Sequence, residues 1–169
     1  MWPLLHVWCM ISPMTNPHCI DPYHDATHRH AVIALWRTVF GYETAHNDPG
    51  FALDKKLLAN DGLLFVALSG TAVVGTVMAG YDGHRGWLYA VAVAPEARRQ
   101  GLGAAMVRHA EAALAARGCM KINLQLLASN HATAAFYRRL GYAEEPRISM
   151  GRVLVQNVPP GGGGHQQSA

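Results

Sequence analysis

Tyr89–Ala104 reads YAVAVAPEARRQGLGA. Val91 and Val93, set among small residues, suit a buried strand better than a helix. Pro95 ends that run, because proline cannot donate to a sheet ladder. A loop with Arg98, Arg99 and Gln100 follows, then Gly101, Leu102, Gly103 and Ala104 at the head of a long helical pattern. The order is strand, basic glycine loop, helix. The free amides of a helix start point outward and the helix dipole favours negative charge there. Glycine lets the backbone approach a phosphate with no Cβ in the way. The stretch therefore predicts a site for a phosphate-bearing ligand.

The chain has 169 residues, half of them hydrophobic and 15% charged, as expected of one globular domain with a proper core. A net charge of +3 permits an anionic ligand, but the adjacent basic pairs Lys55–Lys56, Arg98–Arg99 and Arg138–Arg139 are scattered along the chain. That pattern is not the basic face of a nucleic-acid binder. Cys9, Cys19 and Cys119 have no C-x-x-C spacing, which argues against a disulfide framework and suits a reducing cytoplasm. The opening MWPLLHVWCMISP is interrupted by Pro3 and His6 and lacks a basic flank. It makes a poor membrane span and a poor secretory signal. Residues 1–17 are expected to be an extension outside the core, with Met14 as an alternative start.

Residues 18–24 suit a short edge strand. A helix follows from Asp25, capped by Asp25 or Thr27 and stopped by Gly41, with Val32, Trp36 and Phe40 at helical spacing. A second short helix spans Ala52–Ala59. Leu63–Leu68, Ala72–Tyr81 and Trp87–Ala94 form an antiparallel meander, turning at Ser69–Thr71 and Asp82–Gly86. Gly101–Arg117 is the strongest helix. Lys121–Leu127 alternates apolar and polar, as a strand parallel to the opening strand would. His131–Leu140 is a further helix, and Tyr142–Glu144 and Ile148–Val155 read as two closing strands. The tail 157–169, with its run of four glycines, is expected to be disordered. The domain is thus 18–156.

At Arg98-x-x-Gly101-x-Gly103 the chain resembles the GCN5-related N-acetyltransferase (GNAT) superfamily. A second match lies at Asn130-x-Ala132-Thr133-Ala134-x-Phe136-Tyr137-x-x-Leu140-Gly141-Tyr142. The likeness covers Ile20 to Leu154, and both motifs occur in the family's order. The run Gly75–Trp87, GTVMAGYDGHRGW, is similar to the bacterial YpeA-type branch. The resemblance implies an α+β GNAT fold: a mixed, mostly antiparallel twisted sheet of about six to seven strands, flanked by about four helices, with splayed central strands. It implies acetyl-CoA as cosubstrate, an amine acceptor, no metal, no nucleic acid or membrane partner, and often a homodimer. The pyrophosphate would lie on the amides of Arg98 to Ala104. Val91 and Val93 would hold the pantetheine arm through their main chain, Asn130 would touch the cosubstrate, and Tyr137 would protonate the departing thiolate.

Simpler readings exist for each residue. Gly101 and Gly103 fit a bare strand-to-helix turn, Arg98 and Arg99 fit surface charges, Tyr137 fits a core aromatic, and Asn130 fits a helix cap. A P-loop is disfavoured, because no Gly-Lys-Ser/Thr follows the loop. His24, His28 and His30 read as solvated side chains rather than metal ligands, and Cys119 lacks the surroundings of a nucleophile. The family's usual glutamate base on the fourth strand has no counterpart, since Tyr89 and Ala90 stand there. Asp82, His84, Glu43, His46, Asp48 or a water relay are the remaining bases. Trp36, Phe40, Tyr42 and the Asp82–Arg85 turn are candidates for acceptor selection. The missing glutamate keeps a non-catalytic acyl-CoA-binding or sensing domain as the alternative.

Overall fold

The computed structural model describes residues 18–41 and 47–152. The chain divides into two compact units, Met1–His131 and Ala132–Ala169. In the first unit the strands are β1 (Cys19–Pro22), β2 (Leu64–Ser69), β3 (Ala72–Tyr81), β4 (Gly86–Val93) and β5 (Ile122–Asn123). Its helices are α1 (Asp25–Phe40), α2 (Pro49–Ala59) and α3 (Leu102–Ala115). The sheet order is β1-β2-β3-β4-β5, antiparallel throughout except for the parallel β4–β5 pair. This is the expected α+β fold with a mixed, mostly antiparallel open sheet, and four helices are described in the chain.

Each element follows from local chemistry. Asn60 closes α2 and Gly41 closes α1, both in the left-handed region. Pro49 occupies the first turn of α2, where a missing amide costs nothing, and the Asp48 side chain accepts the Phe51 amide at 2.9 Å. That cap starts α2 earlier than Ala52. Neither Asp25 nor Thr27 caps α1: its N-cap is His24, without a side-chain cap. His28 instead accepts the His24 amide through Nδ1 at 3.0 Å. His28 is therefore buried and engaged rather than solvated, and burial lowers its pKa.

The helices cover both faces of the sheet. Trp36 of α1 bonds the side chain of Thr76, whereas a Cβ on the neighbouring Gly75 would meet Met106 Sδ of α3 at 2.7 Å. Successive residues of a strand point to opposite faces, so α1 and α3 sandwich β3. Val32 and Trp36 on one side, with Leu102, Met106, Val107, Ala110 and Leu114 on the other, are buried against a sheet of buried Val66, Ala67, Val77 and Leu88. Gly86 is required by close approach. A Cβ there would lie 2.8 Å from Cys119 Sγ and 3.0 Å from Leu114 Cδ1.

β5 is much shorter than the expected Lys121–Leu127. It pairs with β4 only at Gly86↔Ile122 and Trp87↔Asn123. Alternation alone does not make a strand: a ladder needs a partner edge, and β4 offers one only over its first two residues.

In the second unit the described structure is α4 (His131–Arg139), which begins at the last residue of the first unit, and the segment to 152. Gly141 stops the helix region at φ +95°. Tyr137 packs edge-to-face on Phe136 and Tyr142, with centroids 5.0 and 5.4 Å away. The two closing strands do not form among the described residues 142–152, where Ile148 and Met150 are exposed rather than alternately buried. Residues 153–155 of the second of them lie outside the described residues, as do the expected extension 1–17 and tail 157–169.

Candidate active site

The strand–loop–helix stretch is built around a bulge. Met78 pairs with Tyr89 and Thr76 with Ala92, so Ala90 and Val91 together oppose Val77. Ala90 takes the left-handed conformation, φ +44°, as one extra residue in a strand demands a local kink. The extra residue inverts the hydrogen-bonding parity of β4. Before the bulge, the Gly86 amide donates to Lys121 O at 2.9 Å, toward β5. Beyond it, the Ala94 amide donates to Val74 O at 2.9 Å, toward β3. Alternation along a strand then directs the main-chain polar groups of Val91 and Val93 away from β3, on the side where β5 pairing has already ended. The expected splay is this gap.

The loop folds back on that edge. Pro95–Ala97 make a single 3₁₀ turn, and the Arg98 side chain donates through Nε to Val93 O at 3.0 Å. Gln100 donates to Glu96 O at 3.2 Å. Arg98 thus straps the loop to β4, while Arg99 is exposed. Arg99 and Gly101 both hold positive φ, +65° and +81°. This reverses the chain sharply, and Gly101 becomes the N-cap of α3. The first intrahelical bond runs from the Ala105 amide to Gly101 O at 3.0 Å. The amides of Leu102, Gly103 and Ala104 precede it and have no acceptor within the helix. A row of main-chain donors therefore continues from an open strand edge into a helix N-terminus. The row suits a ligand that carries amides at one end and phosphates at the other.

This stretch lies within a longer family match. The Acetyltransferase (GNAT) family matches residues 27–142. The chain belongs to the GNAT acetyltransferase family. Its fold is similar to that of the aminoglycoside N-acetyltransferase AAC(6')-Iy solved in complex with CoA, at 17% identity and TM-score 0.67, over 85% of this chain and 99% of that one. It is also similar to the ribosomal-protein-S18-alanine N-acetyltransferase from Escherichia coli, at 23% identity and TM-score 0.61, over 76% and 79% of the two chains. Glucosamine-6-phosphate N-acetyltransferase from Arabidopsis thaliana matches at 20% identity and TM-score 0.61, over 82% and 99%.

The other expected residues fall as follows in this GNAT chain. Asn130 is exposed, in the turn before α4, and its amide donates to Leu127 O at 2.8 Å. Tyr137 is buried, and desolvation pushes its phenol up to about 12. Asp82 accepts the His84 and Arg85 amides at 2.7 and 2.6 Å, so its carboxyl is held below the ordinary range, chiefly by the Arg85 amide. That makes it a weak base. Asp48 is engaged as the cap of α2, His84 is exposed, and Glu43, His46 and Tyr42 lie outside the described residues. Trp36 is 1% exposed and bonded within the core, which removes it from acceptor selection. Tyr89 stacks beside Trp87 at an interplanar angle of 18° and is half exposed, its phenol raised by partial burial. Thr76, absent from the expected site, is the residue that sequence reasoning missed. Its signal was a lone hydroxyl in the apolar run VVGTVMAG.

Among the described residues no helix is long and apolar enough to cross a membrane, and no cluster of three or more His, Cys, Asp or Glu could hold a metal.

Proposed function

We propose that this chain is an N-acetyltransferase that moves the acetyl group of acetyl-CoA directly to an amine acceptor in a ternary complex. The observation that carries this reading is the continuous row of main-chain donors from the β4 edge into the head of α3. Val91 and Val93 hold the pantetheine arm. The amides of Arg98, Arg99, Gln100, Gly101, Leu102, Gly103 and Ala104 hold the pyrophosphate, and Asn130 adds a contact to the cosubstrate. Residues 18–156 form the catalytic domain.

The neutral amine attacks the thioester carbonyl carbon, and negative charge grows on its oxygen, where the outward Val91 amide is the donor. The C–S bond then breaks, the thiolate leaves with its electron pair, and the ammonium nitrogen loses a proton. Tyr137 donates to the departing sulfur. A phenol near 12 facing a thiol near 8.5 makes complete transfer uphill by roughly 5 kcal/mol, so stabilisation by a hydrogen bond is its main contribution. With no carboxylate on β4, the proton from the amine leaves through a water relay or an exposed group such as His84.

The acceptor class stays at "amine", consistent with similar folds whose names include aminoglycoside, ribosomal-protein and amino-sugar acetyltransferases. The Gly75–Trp87 run supports placement in the YpeA-type branch. Three cysteines without C-x-x-C spacing support a cytoplasmic setting, and a homodimer is the assembly that the family likeness suggests. The deciding experiment is acetyl-CoA turnover, read as free thiol, against a panel of amines, amino sugars and peptides. Thiol release with one acceptor supports the enzyme. CoA binding without transfer to any member would point to a non-catalytic acyl-CoA-binding domain, the reading that the missing carboxylate favours.

A further inference from the structure

Thr76 is the single hydroxyl in the interior of β3, and it is completely buried. Its Oγ1 lies 2.7 Å from Trp36 Nε1 and 2.9 Å from Ala90 O. The roles of the three atoms are forced. An indole N–H only donates and a carbonyl only accepts, whereas a hydroxyl has one proton and two lone pairs. Thr76 must therefore accept from Trp36 and give its proton to Ala90. The indole fixes the hydroxyl rotor, and the hydroxyl fixes the carbonyl of the residue that carries the bulge. Without that bond, the Ala90 carbonyl would be a part-buried acceptor in a left-handed, non-glycine conformation that has lost its Thr76 donor. A β4 relaxed to regular pairing would shift register by one, and every main-chain group after Ala90 would change sides.

We propose that Thr76, oriented by Trp36, is a positioning residue that locks the Ala90 bulge. It thereby sets the amides of Val91 and Val93 at the open edge for the amide-bearing arm of the cosubstrate. The proposal rests on the acetyl-CoA reading above. It reaches the site from the α1 face of the sheet, through residues that touch no ligand.

The test uses the full chain as wild type, Thr76→Ser, Thr76→Val and Trp36→Phe, with CoA as probe. Two quantities are read: the CoA dissociation constant by calorimetry, and the backbone amide resonances and exchange rates of Ala90–Val93. Thr76→Ser keeps the hydroxyl and should match wild type in both. Thr76→Val should weaken CoA binding by about tenfold, the factor that one buried hydrogen bond carries. It should also displace the Val91 and Val93 resonances while those of β1 and β2 stay in place. A purely structural role would lower the melting temperature without moving either readout in the folded protein. If Thr76→Val does not fold, Trp36→Phe, which frees the rotor but keeps the hydroxyl, should show the same displacement to a smaller degree. Val91 and Val93 resonances and CoA affinity unchanged in the folded variant would overturn the proposal. If wild type itself fails to bind CoA, the cosubstrate reading falls, and the resonances alone decide whether Thr76 holds the bulge.

Discussion

Gly101→Glu separates the anion site from the fold it is built on. Gly101 sits at φ +81° with nothing within 4 Å of a would-be Cβ, so a side chain there meets backbone strain but no clash. Left-handed strain for an L-residue costs about 1–2 kcal/mol. A carboxylate at the N-cap of α3 returns about 0.3–1 kcal/mol through the helix dipole. The net loss of stability is thus on the order of 1 kcal/mol, and the protein stays folded. Binding responds differently. A carboxylate ~5 Å from two pyrophosphate charges repels them by about 1.7 kcal/mol even at the dielectric constant of water, and more where solvent is excluded. It also competes for the Leu102–Ala104 amides. CoA affinity should therefore fall by at least about tenfold, and added salt should recover part of the loss. Gly101→Ala carries the same strain without the charge and is the control. Calorimetric titration with CoA at low and high salt, beside thermal melts, makes the measurement. Equal affinities for the Glu and Ala variants at low salt would refute the placement of a pyrophosphate on this turn.

Gly86→Ala pushes a methyl group into Cys119 Sγ and Leu114 Cδ1 and should cost about 1–3 kcal/mol in urea unfolding. Tyr137→Phe removes only the phenol hydroxyl. It should lower kcat by about tenfold or more with the KM for acetyl-CoA nearly constant, and steady-state kinetics with any accepted amine reads the split. His28 has a folded pKa below its ordinary 6.5 because burial disfavours the charged ring. Its contribution to stability is present above 6.5 and lost as pH falls through the folded value. Melting temperature should decline through that window, and His28→Asn should flatten the decline while keeping an acceptor for the His24 amide.

What could be read from the chain was local in character. Helices α1, α3 and α4 announce themselves through apolar residues at helical spacing and glycine stops at Gly41 and Gly141. The β2–β3–β4 meander does so through its turns, and the Arg98–Gly103 loop through residues adjacent in sequence. These features depend on φ/ψ preference and periodicity, which each segment carries with it. Other features depended on partners far along the chain. Lys121–Leu127 alternates like a strand, yet pairing ends at Trp87↔Asn123, because only assembly shows where the edge of β4 is available. Tyr142–Glu144 likewise has strand-like composition without a described ladder. Trp36 has the spacing of a core residue and the chemistry of a ligand contact. Thr76, 40 residues away, decides between the two by taking its indole proton.

The sequence by itself determined the family motifs, the order of elements and the amide-rich head of α3, all from neighbours within one turn or hairpin. The tertiary structure alone decided which amides of Tyr89–Ala104 face outward. That choice rests on one extra residue in β4, with Ala90 and Val91 set opposite Val77. A bulge leaves no mark on composition or period. It exists only when β3 supplies the register and Thr76, held by Trp36, supplies the hydrogen bond that keeps Ala90 in its left-handed turn.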